Sequence, residues 1–91
     1  MPTVLTEEQI RDIQLATLRT QVDDCDRQIV EYLQRRMRLT DIIQRQKQEW
    51  GRPPHDAGRE ASVLSRVPKR LHGIYATIFA VSKEATGWTG I

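Results

Sequence analysis

The sequence holds a single cysteine, Cys25, and that alone excludes an internal disulfide. Cys25 falls on an apolar stripe, so a buried, unreactive thiol is expected. The only histidines, His55 and His72, are isolated and are not spaced with carboxylates as ligands; no metal and no other cofactor is expected. No Ser/His/Asp or Cys/His grouping suggests a covalent intermediate, and no glycine-rich loop offers a phosphate cradle. Excess charge is almost absent: 14 Lys and Arg against 12 Asp and Glu leave +2, which gives little reason to expect nucleic acid. No run approaches the ~20 apolar residues of a membrane-spanning helix. Met1-Pro2-Thr3-Val4-Leu5 is followed at once by Thr6-Glu7-Glu8, without a basic start or an apolar stretch. A secretion signal and a membrane partner are therefore not expected, and a reduced cytoplasmic setting is the default.

Proline and glycine are missing from a long segment, and that absence organises the chain. Thr6-Glu7-Glu8-Gln9 fits a capping box, and from there to Glu49 neither breaker occurs. Gly51 and Pro53-Pro54 end the run. Such a helix is on the order of 65 Å long at ~1.5 Å per residue. Leu18, Val22, Cys25, Ile29, Tyr32, Arg36, Leu39, Ile43, Gln46 and Trp50 step by alternating four and three along it. That is a heptad-like seam. The rest of a 91-residue chain is too short to cover it, so a second copy is the economical partner. Asp56 suits the N-cap of a short second helix from 57 to about 66. Pro68 either breaks that helix or opens the next one. A third helix is expected from about 69 to 86, with Leu71, Ile74, Tyr75, Ile78 and Phe79 as its apolar face, continued by Ser82. Gly87 suits a C-cap. The expectation is one all-α domain over 1–91, with flexible ends at 1–5 and 88–91. It has three helices, one very long, one short and one medium, in a homodimer.

Several polar residues interrupt these stripes. Arg36 occupies a seam position, and Lys47, eleven residues on, returns to within ~20° of it at 100° per residue. Two cations thus share the face on which Ile43 packs. Either they snorkel to water, or carboxylates from the protein or from a ligand meet them, because an unpaired buried cation is costly. Arg19 lies roughly two dozen ångströms from Arg36 along the helix, so it reaches the same small ligand only from the other subunit of a crossed dimer. Otherwise it is an ordinary solvated arginine. Asp56 and Glu60 share the first turn of the second helix; Asp56 serves as cap, and both are acceptors for a ligand hydroxyl. Arg59 either pairs with Asp56 or turns to a ligand. Ser82 either bonds its own i−4 carbonyl or donates to a carboxylate in the cleft.

These residues together resemble the all-α, AroQ-type chorismate mutases. Leu18-Arg19, Val22-Asp23, Asp26, Arg35-Arg36-Met37 and Lys47 follow the family's first-helix pattern. Residues 52–60, Arg52-Pro53-Pro54-His55-Asp56-Ala57-Gly58-Arg59-Glu60, follow its R-P-x-x-D-x-x-R-E signature. Ile74-Tyr75 to Ser82 is similar to its third helix, and the resemblance spans about residues 15–86. It implies an intertwined dimer that rearranges chorismate to prephenate, a [3,3] shift needing no acid, base, metal or covalent adduct. It also implies the roles. Arg36 and Arg59, with Arg19 from the other subunit, hold the two carboxylates, and Lys47 contacts a carboxylate and the ether oxygen. Asp56 and Glu60 orient the ring hydroxyl, and Ser82 binds the ring carboxylate. Where the family commonly carries Gln or Glu four residues after the serine, this chain has the shorter Thr86, which weakens the ether-oxygen donor of helix three. The stretch between Glu60 and the third helix is also short.

Two other activities look similar on this fold. Aminodeoxychorismate mutases share the need for Asp56 and Glu60 opposite a donor on the ring. The retained D-x-x-R-E argues against an isochorismate pyruvate-lyase. A third alternative is a weakly active subunit that needs a partner enzyme of the shikimate pathway. A plain dimerisation helix leaves Arg36 and Lys47 on the seam unexplained.

Overall fold

The computed structural model describes residues 4–85. Those residues are all-helical and contain no strand. Helix α1 spans Glu7–Glu49, α2 spans Ala57–Leu64 and α3 spans His72–Ala85. A short 3-10 turn, Lys69–Leu71, leads into α3.

Both ends of α1 are closed by local chemistry. At its start the Thr6 amide donates to Gln9 Oε1 at 2.9 Å, and the Gln9 amide donates to Thr6 Oγ1 at 3.1 Å. This reciprocal pair satisfies two amides that the first turn leaves without helical partners. At its end the Arg52 amide reaches back to the Lys47 carbonyl at 2.8 Å, and the Gly51 amide to Gln48 at 3.2 Å. That is a Schellman cap. It requires a left-handed residue, and Gly51 supplies it at φ 68°.

The chain divides into two units, Met1–Gln34 and Arg35–Ile91. The first consists, among described residues, of the N-terminal part of α1. Ion pairs one turn apart, Arg11 with Glu7 and Arg27 with Asp24, run along its surface. No residue of α1 is buried, and the apolar stripe lies open: Val22 is 57% exposed and Tyr32 66%. Cys25 is exposed too. The buried thiol expected for it is therefore not found among the described residues, where the stripe around it lies open.

The second unit gathers the end of α1, the loop from 50 to 56, α2, the 3-10 turn and α3. Phe79 at 9% exposure and Ser82 at 8% are its buried residues among those described. Tyr75 packs edge-on against Phe79 with ring centroids 5.9 Å apart, an arrangement aromatic quadrupoles favour. Ile78 is half-buried, but Ile74 lies open, so the expected apolar face of α3 is only partly used within the chain.

Helix α2 ends at Leu64, two residues short of expectation. The Arg66 and Val67 amides bond to carbonyls three residues back, which tightens the last turn, and Pro68 has no amide to continue it. Pro68 then stands just before the 3-10 turn and accepts the Leu71 amide at 2.9 Å. Residues 86–91, including the proposed Gly87 cap and the 88–91 tail, lie outside the described residues.

Because a side chain with a Cβ is strained at this φ, Gly51→Ala should destabilise the protein by about 1 kcal/mol. Thermal denaturation at fixed protein concentration should show a midpoint about 4–8 °C lower; an unchanged midpoint would remove the cap from the account of where α1 stops.

Candidate functional site

The second unit turns the cations of α1 toward α3 and α2. Arg36 is half-buried, with its Cζ 5.4 Å from the centroid of the Phe79 ring. A guanidinium over an aromatic face gains about 0.5–2 kcal/mol, depending on desolvation. Its Nη1 also donates to Ser82 Oγ at 3.4 Å, a long bond. The Ser82 hydroxyl in turn donates to the Ile78 carbonyl at 2.8 Å. Its one hydrogen is thus committed to its own helix while its oxygen accepts from Arg36. To serve a ligand carboxylate, the hydroxyl has to leave Ile78.

Lys47 is held by the loop that follows its own helix. Its Nζ donates to the Pro54 carbonyl at 3.4 Å, and Gln44 Nε2 donates to the same oxygen at 3.1 Å. An ammonium carries three donors, so this bond leaves capacity for a ligand.

Asp56 begins α2. Its Oδ1 accepts the Arg59 amide at 3.0 Å, the geometry of an N-cap. Asp56 thus takes the backbone of Arg59, and no ion pair joins the two side chains among the described residues. Glu60, one turn on, is paired instead with Lys83 of α3, with Nζ 2.8 Å from Oε1.

Arg36, Lys47, Asp56, Arg59, Glu60 and Ser82 all line one cavity of about 300 Å³. This volume is at the small end of ligand sites. Leu39, Ile43 and Phe79 supply its apolar wall. Two expected site residues remain. Arg19 belongs to the first unit and does not line the cavity, and Thr86 lies outside the described residues. Gln44 and Lys83 were not anticipated, though each leaves a trace in the sequence. Arg36, Thr40 and Gln44 repeat every four residues, and Lys47 follows three later, so one face of α1 is polar over three turns. Lys83 comes four residues after Phe79 and eight after Tyr75, so it prolongs the aromatic stripe of α3.

Among the described residues no cluster of His, Cys, Asp and Glu is suited to a metal ion. No described helix is long and apolar enough to cross a membrane. The arrangement is a cavity with cations on several sides and two carboxylates along one of them, which suits a small anion that also carries a hydrogen-bond donor.

A family model described as Chorismate mutase type II matches residues 18–85. No curated protein and no solved structure matches the chain.

The capping role of Asp56 separates by substitution from any ligand role. Asp56→Asn keeps a capping oxygen and should leave the thermal midpoint nearly unchanged, whereas Asp56→Ala should cost about 1 kcal/mol. Equal midpoints for the two variants in thermal denaturation would show that the cap contributes nothing.

Proposed function

The chain belongs to the chorismate mutase type II family, and we propose that it rearranges chorismate to prephenate in a homodimer with shared sites. The observation that carries this reading is the convergence of Arg36, Lys47, Arg59, Asp56 and Glu60 on one cavity. The reaction breaks one C–O bond as one C–C bond forms, within a single molecule. It calls for no proton transfer, so the protein has two tasks. One is to hold the chair-like conformer in which the two carbon termini meet. The other is to stabilise the negative charge that grows on the ether oxygen as its bond to carbon breaks.

In this reading the Arg36 and Arg59 guanidiniums take the substrate carboxylates, joined by Arg19 of the partner subunit. Lys47 contacts a carboxylate and the ether oxygen. Its ammonium stabilises the transition state more than the ground state, because the charge on that oxygen increases along the reaction. Asp56 and Glu60 accept the ring hydroxyl. Ser82 contacts the ring carboxylate, directly or through Arg36, and Thr86 stands where the family commonly has a longer donor. The chain's own residues supply the electrostatics, and no cofactor enters the proposal.

The dimer is supported by exposed surface. Leu18, Val22, Ile29 and Tyr32 are each more than half exposed. The open stripe from Leu18 to Tyr32 is the surface a second α1 would cover, and the same packing would carry Arg19 toward the partner's cavity.

The purified chain should consume chorismate and form prephenate; release of pyruvate instead would assign it to lyase chemistry. Lys47→Ala should lower kcat by about 10²–10³ or more with circular dichroism and dimer mass unchanged, and turnover within a few-fold of wild type would remove Lys47 from the ether oxygen. Arg19→Ala and Arg36→Ala chains, each inactive alone, should regain part of the activity when mixed, since one hybrid site is intact. Absence of recovery after demonstrated subunit exchange would exclude a site shared between subunits.

A further inference from the structure

The Lys83–Glu60 pair joins α3 to α2 at the cavity wall, and both residues line the cavity itself. The contact is short, 2.8 Å, and its side chains are only about one-third exposed, 34% and 31%. An ion pair that served only to staple two helices would not need to lie on a cavity wall. Its place there changes what the cavity recognises. Arg36, Lys47, Arg59 and Lys83 line it together with Asp56 and Glu60. Lys83 adds one positive charge to the wall, and a ligand that carries an ammonium in place of a hydroxyl is one charge less negative. Removing Lys83 therefore offsets that change in the ligand.

We infer that Lys83 is a specificity-determining residue, which favours a ligand with a neutral hydroxyl beside Glu60 over one with an ammonium there. The inference rests on the mutase reading for the identity of the dicarboxylate. Glu60 unaccompanied is an anionic acceptor that would draw an ammonium at least as well as a hydroxyl. An aliphatic amine is largely protonated at neutral pH. With Lys83 Nζ on one of its oxygens, Glu60 remains an acceptor through its free lone pairs. The local charge is then neutralised, and a ligand ammonium meets Lys83 as a like charge at close range. A hydroxyl meets no such penalty. Specificity of this kind comes from a repulsive element placed against the competitor. Lys83 also orients Glu60, so it acts on the hydroxyl-bearing ligand as a positioning residue.

The test compares wild type, Lys83→Met and Lys83→Arg on chorismate and 4-amino-4-deoxychorismate. Turnover gives kcat/KM, and calorimetry in a Lys47→Ala background, where the rearrangement is slowed, gives both dissociation constants. Lys83→Met should shift the ratio of the two ligands about five- to tenfold toward the amine, the order expected of one partly exposed charge pair. Lys83→Arg, which keeps the charge, should hold the ratio within about twofold of wild type. Should Lys83→Met fail to fold by circular dichroism, Lys83→Gln takes its place. Equal losses for both ligands would reduce Lys83 to a structural staple and overturn the inference, as would a Lys83→Arg shift as large as that of Lys83→Met. A wild-type chain that binds both ligands with the Lys83-dependent ratio but rearranges neither refutes the mutase reading alone. One that rearranges chorismate with an unchanged ratio refutes this inference alone.

Discussion

Arg36 is the contact on which the second unit depends. A cation at a seam position would ordinarily weaken an apolar interface, because its desolvation is not returned by apolar neighbours. Here Phe79 and Ser82, the buried residues among those described in α3, are the ones that receive it, the ring through its face and the hydroxyl through its oxygen. The guanidinium thus binds the end of α1 to α3 while part of its donor fork remains available. Packing and recognition use the same side chain, and neither can be altered without the other. This also explains why so little else is buried: the second unit is arranged around a cavity rather than a core.

The same economy appears at each polar position. Asp56 caps α2 with one oxygen. Lys47 rests on the Pro54 carbonyl that Gln44 shares. Glu60 rests on Lys83. Among the described residues Asp56, Lys47 and Glu60 are each held by a protein contact and keep hydrogen-bonding capacity beyond it. Such half-satisfied groups in the interior of an ordinary domain would be destabilising. Around a site they are preorganised, so that a ligand completes hydrogen bonds rather than competing for them.

Much of this could be read from the residues in order. The breaker-free stretch and its two closing signals, the capping box and Gly51, delimit α1 because helix ends are governed by local chemistry. Asp56 marks the start of α2 for the same reason. The end of α2 was less legible, since Ser65-Arg66-Val67 carries no breaker and only Pro68 stops the helix. Burial was least legible. Cys25 and Ile74 sit on apolar stripes, yet periodicity says which face is apolar and not which chain covers it. Arg36 showed itself because it interrupts an apolar seam, and Lys47 because it returns to the same face. Lys83 and Gln44 did not, because each lies beside a marked position and gains its meaning only when α1, the loop and α3 are brought together.

The loop after α1 closes a small ring. At one end the Lys47 carbonyl takes the Arg52 amide; at the other the Lys47 ammonium rests on the Pro54 carbonyl. Backbone and side chain of one residue are thereby tied to two points of the same short segment, and left-handed Gly51 and the stiff Pro53-Pro54 pair set its span. Surface loops usually tolerate changes in length. This one works as a gauge instead: its length sets how far the ammonium stands from the helix that carries it, so an insertion or deletion here would act on the chemistry before it acted on the fold.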